Sequence, residues 1–264
     1  MRPSLAISAE HDPPGGPDIA LYEQRQRRAA AILDLDPDLA QDMTPERATA
    51  ARAHAIAAVD TLTPGDWPAL ARDIADPRGA LGLLVIDGIL SREVKLGGMS
   101  FTELVGEGEI LRPWESRNRP ASAASVGWTV LDTARIAVLD GHFAARTARW
   151  PELTTALFTR ALNRSRSLSV QLAIRSVQRV ETRLLLEFWH LAERWGRVSP
   201  EGIVLPLQLT HRLLACLVGA RRPTVTTALK ELTRQGLVSR RDDGTWVLLG
   251  EAPPELDEIG AMLH

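Results

Sequence analysis

The side chains best suited to chemistry in this sequence are the cations of residues 205–250, which suit contact with a phosphate backbone. The segment carries seven cations against three anions, a net charge of +4, on a chain whose formal net charge is −2. Cationic side chains that neutralise phosphates supply most of the sequence-independent affinity for DNA. The charge distribution therefore predicts a basic, DNA-facing module on an otherwise acidic molecule. Its cations are Arg212, Arg221, Arg222, Lys230, Arg234, Arg240 and Arg241.

Two short amphipathic helices are predicted to position these cations. Apolar residues recur at spacings of three and four in both halves of residues 210–232, as expected of helices that each bury one face. Gly219 supplies the left-handed residue of a tight turn between them, and Pro223 suits the first turn of the second helix. The pattern predicts a helix-turn-helix. Its apolar residues are Leu213, Leu214, Leu217, Val218, Val225, Ala228, Leu229 and Leu232.

Residues 236–249 add the pattern of strand, tight turn and strand. Asp242, Asp243 and Gly244 stand between two apolar runs, and Asp-Gly in that setting favours a hairpin. The hairpin is interpreted as the wing of a winged helix. The alternative is a small helical domain that packs on another protein, although packing alone needs no basic helix start.

Composition predicts a cytoplasmic protein of two domains plus extensions. The chain has 264 residues, of which 45% are hydrophobic and 24% charged, as is usual for globular proteins. No apolar run approaches the roughly 20 residues that span a bilayer, and the N-terminus lacks the apolar core of a signal peptide. No membrane partner is expected. The one cysteine, Cys216, is predicted to be a small buried side chain, and it excludes an internal disulfide and disfavours an iron–sulfur cluster.

The N-terminal part is predicted to be a polar tail followed by two helices. Residues 1–18 are rich in proline, glycine and charge, which favours disorder. A helix is predicted from Ile19 to Leu35, with the arginines of residues 25–28 on a solvated face rather than on nucleic acid. A second helix starts at Thr44-Pro45-Glu46, a good capping sequence, and is expected to run to Val59.

Short strands with glycine punctuation are predicted beyond Pro64. Turns are expected at Asp87-Gly88, at Gly97-Gly98 and at residues 106–108, and the closeness of the strands suggests a small barrel or jelly roll. Glu107 and Glu109 are interpreted as solvated rather than as paired catalytic carboxylates. The predicted strands are Ala80–Ile86, Ile89–Leu96, Phe101–Val105, Glu109–Arg112, Ser125–Leu131 and Ala134–Leu139.

Two longer helices and a short hairpin follow. Helical periodicity predicts a helix over Pro151–Ser176, with serines at 165, 167 and 169 that allow a neighbour to approach. We interpret it as a dimerisation helix, the alternative being a helix that packs only within its own chain. A further helix is predicted over Val180–Trp195, ended by Gly196, and a hairpin over residues 198–209. The residues proposed to share one face of the first helix are Leu153, Leu157, Ala161, Leu168 and Leu172.

A β-rich segment, a long helix and a winged helix-turn-helix in this order resemble the Crp/Fnr family of bacterial transcription regulators. The resemblance covers Leu81 to Leu249, and the first 60 or so residues fall outside it. It implies a sequence-specific DNA-binding regulator that acts as a homodimer, with double-stranded DNA as its partner and RNA polymerase as a second candidate. Residues at the family's spacing are Thr210, Gly219, Arg222, Val225, Leu229, Leu232 and Gly236.

The expected fold class is α+β, with five successive parts. Residues 1–64 form an N-terminal extension with helices, and 65–150 a β domain like those that bind cyclic nucleotides. Residues 151–178 are the dimerisation helix, 179–250 the winged helix-turn-helix domain and 251–264 a tail. No enzymatic function is expected, because the sequence shows no phosphate loop, metal-protease pair or nucleophile elbow.

The resemblance also assigns the candidate DNA contacts. Arg222 matches the arginine that is directed at a guanine edge, where its fork can bond O6 and N7 together. Pro223 and Thr227 replace residues of the cyclic AMP receptor proteins, so a different target sequence is expected. Two alternative contacts stay open for Thr227, a thymine methyl group and a phosphate. Lys230 completes the set. The positions that match phosphate-binding residues are Thr210, His211, Arg212, Arg221 and Thr224.

The effector pocket departs from the family pattern. Arg112-Pro113-Trp114 and Ala124-Ser125 stand where other members cradle a cyclic nucleotide, so cyclic AMP is disfavoured, although Arg117 or Arg119 could substitute for the missing arginine. Trp114 and Trp128 are either part of an apolar pocket or core aromatics. The candidate pocket residues are Arg112, Trp114, Ser125 and Trp128.

No cofactor or metal is expected, and the effector is unknown. Haem is disfavoured because His142 and His190 are more simply interpreted as surface or packed residues. Two rival functions stay open at the sequence level. One is a winged helix that binds another protein, and the other is an effector-binding sensor that does not read DNA directly.

Overall fold

The computed structural model describes residues 28–68, 78–96, 99–114 and 125–256. Its strands are β1 Arg28–Ala31, β2 Ile56–Leu62, β3 Gly65–Asp66, β4 Gly82–Leu96, β5 Met99–Val105, β6 Ile110–Leu111, β7 Ser125–Leu139, β8 Arg197–Ser199, β9 Gly202–Leu205, β10 Val238–Arg240 and β11 Trp246–Leu248. Its helices are α1 Ile32–Leu35, α2 Pro45–Arg52, α3 Gly141–Thr147, α4 Pro151–Ser176, α5 Val180–Trp195, α6 His211–Val218 and α7 Arg222–Arg234. The α+β class is confirmed. No helix in these described ranges is long and apolar enough to cross a bilayer.

The N-terminal sheet is antiparallel and runs in the order β1-β2-β7-β4-β5, with β3 on β7 and β6 on β4. Among the described residues it is an open path with two ends rather than the closed barrel that the strand spacing suggested. The strongly irregular pairing of β4 with β7, which shifts register three times between Val85 and Leu90, bends the sheet.

Four of the predicted strands are in fact two long ones. Asp87-Gly88 is a bulge inside β4 rather than a turn, because the Asp87 carboxylate accepts from the Arg135 backbone N–H at 3.0 Å and holds β7 alongside. Gly88 has φ +86°, and a Cβ there would lie 2.4 Å from Ala134 Cα. β7 likewise continues through Asp132 and Thr133. The predicted turn at Gly97-Gly98 lies outside the described residues.

Residues 28–31 and 56–62 belong to the sheet, contrary to the helices predicted over 28–31 and 56–59, whereas Ile32–Leu35 and Pro45–Arg52 are helical as predicted. Residues 28–31 form strand β1, and the rest of the predicted helix before them lies outside the described residues. The Thr44 cap is present, with its hydroxyl accepting from Arg47 N at 3.4 Å, but α2 ends at Arg52 instead of Val59. Ile56–Leu62 pairs with both β1 and β7. Strands β1 and β2, which precede residue 64, thus extend the sheet formed by the residues after it.

The two faces of the sheet bury separate apolar clusters. Leu84 and Ile86 of β4 point to one face, where Leu153 and Leu157 of α4 pack on them. Leu83 and Val85 point to the opposite face, which contains Trp67, Trp114 and Trp128. This alternation follows from the two-residue period of a strand.

Helix α4 has the predicted bounds but divides its apolar residues between two environments. Leu153 and Leu157 are buried within their own chain, whereas Leu172 is 59% exposed. The four leucines and one alanine proposed as one face are therefore not one surface. Phe158 and Leu162 are exposed instead, together with Ser165.

A third cluster joins the sheet, α4 and the C-terminal domain. It contains the core of α5, α6 and α7 together with Leu104 from β5 and Ile174 from α4. Strands β8 to β11 form a second sheet in the order β10-β11-β9-β8. The predicted hairpin before the motif and the predicted wing after it are thus neighbours in one sheet.

The prediction that Glu109 is solvated is wrong. Glu107 is exposed as expected, but Glu109 is 7% exposed and accepts from Gly106 N at 2.8 Å. Arg194 Nη1 of α5 lies 2.9 Å from Glu109 Oε2, the same oxygen that accepts from Gly106 N. The carboxylate is buried because α4 and α5 cover the turn, an arrangement that the local pattern of glycine and glutamate does not reveal.

Candidate nucleic-acid interface

Capping residues fix both helices of the motif. Thr210 caps α6, since its hydroxyl accepts from Leu213 N at 3.2 Å. Gly219 ends α6 in the left-handed conformation, with φ 63° and ψ 42°, and Ala220 N donates to Ala215 O. Helix α7 begins at Arg222 with Pro223 in its first turn. These are the turn and helix start that the sequence predicts.

The apolar faces of both helices are buried as the spacing requires. Leu214, Leu217 and Val218 of α6 and Val225 and Leu229 of α7 are each at most 3% exposed. Their burial fixes which way the remaining side chains of α7 point. At about 100° per residue, Thr227 and Lys230 lie on the face opposite to the buried one, and Arg222 lies at its N-terminal edge.

The structure brings the candidate DNA contacts together on α6, α7 and the turn between them. Seven of them are exposed at the surface, whereas His211 is partly buried. The set shares one region of the domain, as a docking surface requires. It consists of Thr210, His211, Arg212, Arg221, Arg222, Thr224, Thr227 and Lys230.

A hydrogen-bond chain ties His211 to the start of α7. The Thr226 hydroxyl donates to Arg222 O at 3.0 Å, so the same oxygen accepts from His211 Nδ1, which lies 3.0 Å away. Burial, followed by the charges of Arg240 and Arg222, lowers the pKa of His211. The neutral ring therefore carries its proton on Nδ1 and presents a bare Nε2.

The Thr227 hydroxyl also forms a hydrogen bond within helix α7. Its hydroxyl donates to Pro223 O at 3.3 Å, one turn back. A threonine in this geometry has used its donor and turns its methyl group and oxygen lone pairs outward. Its outward chemistry thus fits an apolar contact better than a bond to a phosphate, which accepts but cannot donate.

Some of the seven cations of the basic module form ion pairs, and the others do not. Arg234 pairs with Glu231 at 2.5 Å, and Arg241 pairs with Glu201 at 2.5 Å. Hydrogen bonds from Arg234 and then Gln235 lower the pKa of Glu231 to about 2. Arg222 has no carboxylate within 4 Å in the described part of the chain, and the same holds for Arg212, Arg221 and Lys230. Arg240 of β10 likewise has no ion pair among the described residues, so the uncompensated positive charge lies on α6, the turn, α7 and the first strand of the wing.

Two arginines that the sequence analysis did not single out hold helix α6 through hydrogen bonds to its carbonyl groups. Arg175, in the last turn of α4, donates to Ser100 O of β5 at 2.8 Å and to Cys216 O at 3.5 Å. Arg183 of α5 donates to Val218 O at 2.8 Å. Arginines near helix ends commonly bind carbonyl groups, but the sequence does not show that these carbonyls belong to α6.

The predicted effector-pocket residues do not converge on an open site. Trp114 and Trp128 are 8% and 9% exposed within one apolar cluster, and Trp128 makes an edge contact with Trp67 at 5.8 Å. The Arg112 guanidinium donates to Ala80 O at 2.8 Å and lies over the Trp114 ring. Ser125 is exposed at the start of β7. Arg117 and Arg119 lie outside the described residues.

The two histidines considered for haem are a surface residue and a packed one. His142 is exposed, and His190 is held by Ser167 Oγ at 3.0 Å from Nε2 and by Glu193 at 3.3 Å from Nδ1. His190 lies in the interior junction between α4 and α5, away from the two tryptophans.

Comparison with protein families identifies residues 178–252 as a Crp-like helix-turn-helix domain. This match contains all the candidate DNA contacts. The comparison with curated proteins gives no match.

Solved structures with the same fold cover most of the chain. A cyclic nucleotide-binding domain containing protein from Listeria monocytogenes has a TM-score of 0.61 and 15% identity, over 81% of this chain and 96% of that one. A mutant of CooA from Carboxydothermus hydrogenoformans gives 0.55 and 16%, over 78% and 87%. The c-di-GMP responsive global regulator CLP of Xanthomonas campestris gives 0.54 and 19%, over 78% and 100%. The sheet, long helix and winged domain are thus arranged as in these proteins.

Proposed function

Since residues 178–252 belong to the Crp-like helix-turn-helix family and the chain shares the Crp/Fnr regulator fold, we propose that it is a dimeric, sequence-specific regulator of transcription. The coarser function, a DNA-binding regulator of transcription, is what these similarities support directly. The dimer, the direct reading of bases and the altered effector pocket are the finer parts of the proposal.

The exposed guanidinium of Arg222 at the first residue of α7 carries this proposal. A recognition helix meets base edges with its N-terminal residues, and an arginine free of ion pairs can offer both donors of its fork to a guanine. The neighbouring cations Arg212, Arg221 and Lys230 supply contacts to the phosphates on either side. In a two-fold dimer, two copies of α7 would enter major grooves about 34 Å apart.

The β domain supports a changed sensor function. Of the residues considered for the effector pocket, Trp114 and Trp128 are buried in an apolar cluster, and Arg112 donates to backbone carbonyls. Arg112 is thus not available as the bidentate partner of a cyclic phosphate. We therefore propose that this protein does not use a cyclic nucleotide there.

Selection from a random-sequence DNA pool at two salt concentrations tests the function. We expect the wild type to enrich a two-fold symmetric site and to lose affinity steeply as salt rises, because bound phosphates release counterions. Arg222→Ala should cost about 1 to 3 kcal/mol on the selected site and relax the preference at one base position.

Arg221→Ala is the matched control, since it removes a neighbouring cation that is expected to meet only phosphate. It should weaken selected and random DNA alike. Equal losses on both DNAs for Arg222→Ala would contradict the base-reading role. A pool that yields no enriched site, with little dependence on salt, would favour the protein-interaction module instead.

A further inference from the structure

The wing contains two adjacent arginines whose surroundings differ. Arg241 lies 2.5 Å from Glu201 Oε2, so its charge is already compensated. Arg240, the last residue of β10, is exposed and forms no ion pair in the part of the chain that the structure describes. The Arg240 guanidinium is therefore an uncompensated cation at the surface of the wing.

An aromatic ring holds the Arg240 side chain in place. Its guanidinium carbon lies 5.8 Å from the centroid of the Trp246 ring, in the residue that faces it across the β10–β11 hairpin. Trp246 is 2% exposed, and its indole N–H donates to Leu209 O at 3.3 Å, so the ring is anchored in the core. A cation already held over a ring face loses less side-chain freedom when it binds a partner.

The wing turn places Arg240 beside the chain that leads into α6. A Cβ on Gly244 would lie 3.7 Å from Arg240 Nη2 and 4.0 Å from Gln208 Cγ, so both side chains adjoin the same glycine. Gln208 stands two residues before Thr210 and three before His211, the first two candidate phosphate contacts. Arg240 and the start of α6 therefore belong to one surface.

Electrostatics agree with this placement. After burial, the charges of Arg240 and then Arg222 lower the pKa of His211. Charges at a protein surface act strongly only within a Debye length, which is about 8 Å at physiological salt. Arg240 thus faces His211 from the wing, while Arg222 and the Thr226 hydroxyl face it from α7.

From this geometry we infer that Arg240 binds the DNA backbone, at the phosphate that His211 contacts or at its immediate neighbour. A guanidinium is always charged and binds phosphate oxygens through charge-assisted hydrogen bonds. The residues beside it at the start of α6 are expected to contact phosphates rather than base edges, so the backbone is the partner that Arg240 meets there. The inference rests on the proposed function and extends the DNA-binding surface from α6 and α7 to β10.

Salt titrations of DNA binding test this contact, with fluorescence anisotropy on a selected site and on random duplex DNA. Arg240→Gln should weaken both DNAs alike, about three- to tenfold at 0.1 M salt. It should also reduce the slope of log Kd against log salt concentration by about one per subunit, because one phosphate per subunit keeps its counterions.

Arg241→Gln is the matched control, since it removes the same charge from the next residue of the wing, where Glu201 already compensates it. It should change Kd less than about twofold and leave the salt slope unchanged. Thermal melting establishes that each variant is folded. Wild-type binding combined with equal losses in the two variants, or with no loss in Arg240→Gln, would overturn the inference and leave the proposed function standing. A wild type that binds no DNA would contradict both.

Ethylation interference at pH 6 locates the phosphate, because an ethylated phosphate loses its charge and blocks a protein that needs it. The interference signal that disappears in Arg240→Gln should coincide with the one that disappears in His211→Gln, or lie one phosphate away on the same strand. Signals on different strands or farther apart, or a variant that loses no signal, would overturn the shared position.

Discussion

Hydrogen bonds inside the motif restrict what its polar side chains can offer to DNA. Thr227 donates to Pro223 O, and Thr226 donates to Arg222 O. Both hydroxyls are therefore occupied before any ligand arrives. Arg222, by contrast, has its guanidinium exposed and free of carboxylates, which concentrates the capacity for base recognition in one side chain.

His211 should make DNA binding depend on pH. At neutral pH its proton is on Nδ1, facing Thr226, and its bare Nε2 would repel a phosphate. As pH falls through its lowered pKa, Nε2 gains a proton and becomes a charged donor. We expect affinity for DNA to rise between about pH 7.5 and 5.5, with a linkage of at most one proton per subunit from this residue.

His211→Gln should remove that part of the pH dependence, measured as the slope of log Kd against pH by fluorescence anisotropy. Arg212→Gln is the control, since it removes a neighbouring cation that does not titrate in this range, and it should weaken binding while leaving the slope unchanged. Identical slopes for the wild type and His211→Gln would remove His211 from the interface.

At the scale of elements, helix α4 has one face packed on the sheet and another that is exposed. Its first turns are buried against the sheet through Leu153 and Leu157. A stripe of exposed residues, Phe158, Leu162, Ser165 and Leu172, together with the half-buried Ser169, has alternating spacings of four and three. That is the spacing of a coiled-coil seam, and the small serines allow a second helix to approach closely.

Leu162→Glu should dissociate the proposed dimer into monomers, because a carboxylate at the centre of the seam would be desolvated beside its two-fold copy. Sedimentation velocity measures the change. Thr159→Glu is the control, an equal charge on an exposed position off the stripe, and it should leave the dimer intact. A wild type that sediments as a monomer, or equal behaviour of the two variants, would contradict the seam.

At the scale of the whole molecule, ionic contacts join the winged domain to the sheet. Arg194 of α5 binds the buried Glu109 and also donates to Glu107 O at 2.7 Å. Arg175 bridges β5 and α6. These contacts from α4 and α5 add to the apolar cluster that already joins the sheet, α4 and the winged domain.

Arg194→Ala should destabilise the folded protein by about 1 to 3 kcal/mol, because it leaves a buried carboxylate without its nearest cation. The value is below that of a fully buried pair because Arg194 is 32% exposed and Glu109 keeps its bond from Gly106 N. Urea unfolding measures the change.

The cost should shrink to less than about 1 kcal/mol in a Glu109→Gln background, where no buried charge is left to compensate. The full loss in both backgrounds would show that Arg194 acts through packing on Trp195, over whose ring it lies at 4.6 Å.

The sequence by itself determined the features that depend on neighbours three or four residues apart. The bounds of α4 and α5, the Thr210 cap, the glycine turn and both faces of the helix-turn-helix follow from local periodicity and capping, and the structure agrees with them. The exposed positions of Arg222 and Lys230 follow in turn, since they are what the buried face leaves outside.

Tertiary structure decided what depends on distant partners. Asp87-Gly88 has the composition of a turn, yet it is a bulge because β7 runs alongside it. Residues 56–59 continue a helical pattern, yet they form a strand because β1 and β7 flank them. The same reason applies to Glu109, which α4 and α5 cover, and to Glu187 of α5, which is buried where Gln171 of α4 packs against it. Local propensity is weak compared with such long-range pairing and burial, so these features could be recognised only in the folded chain.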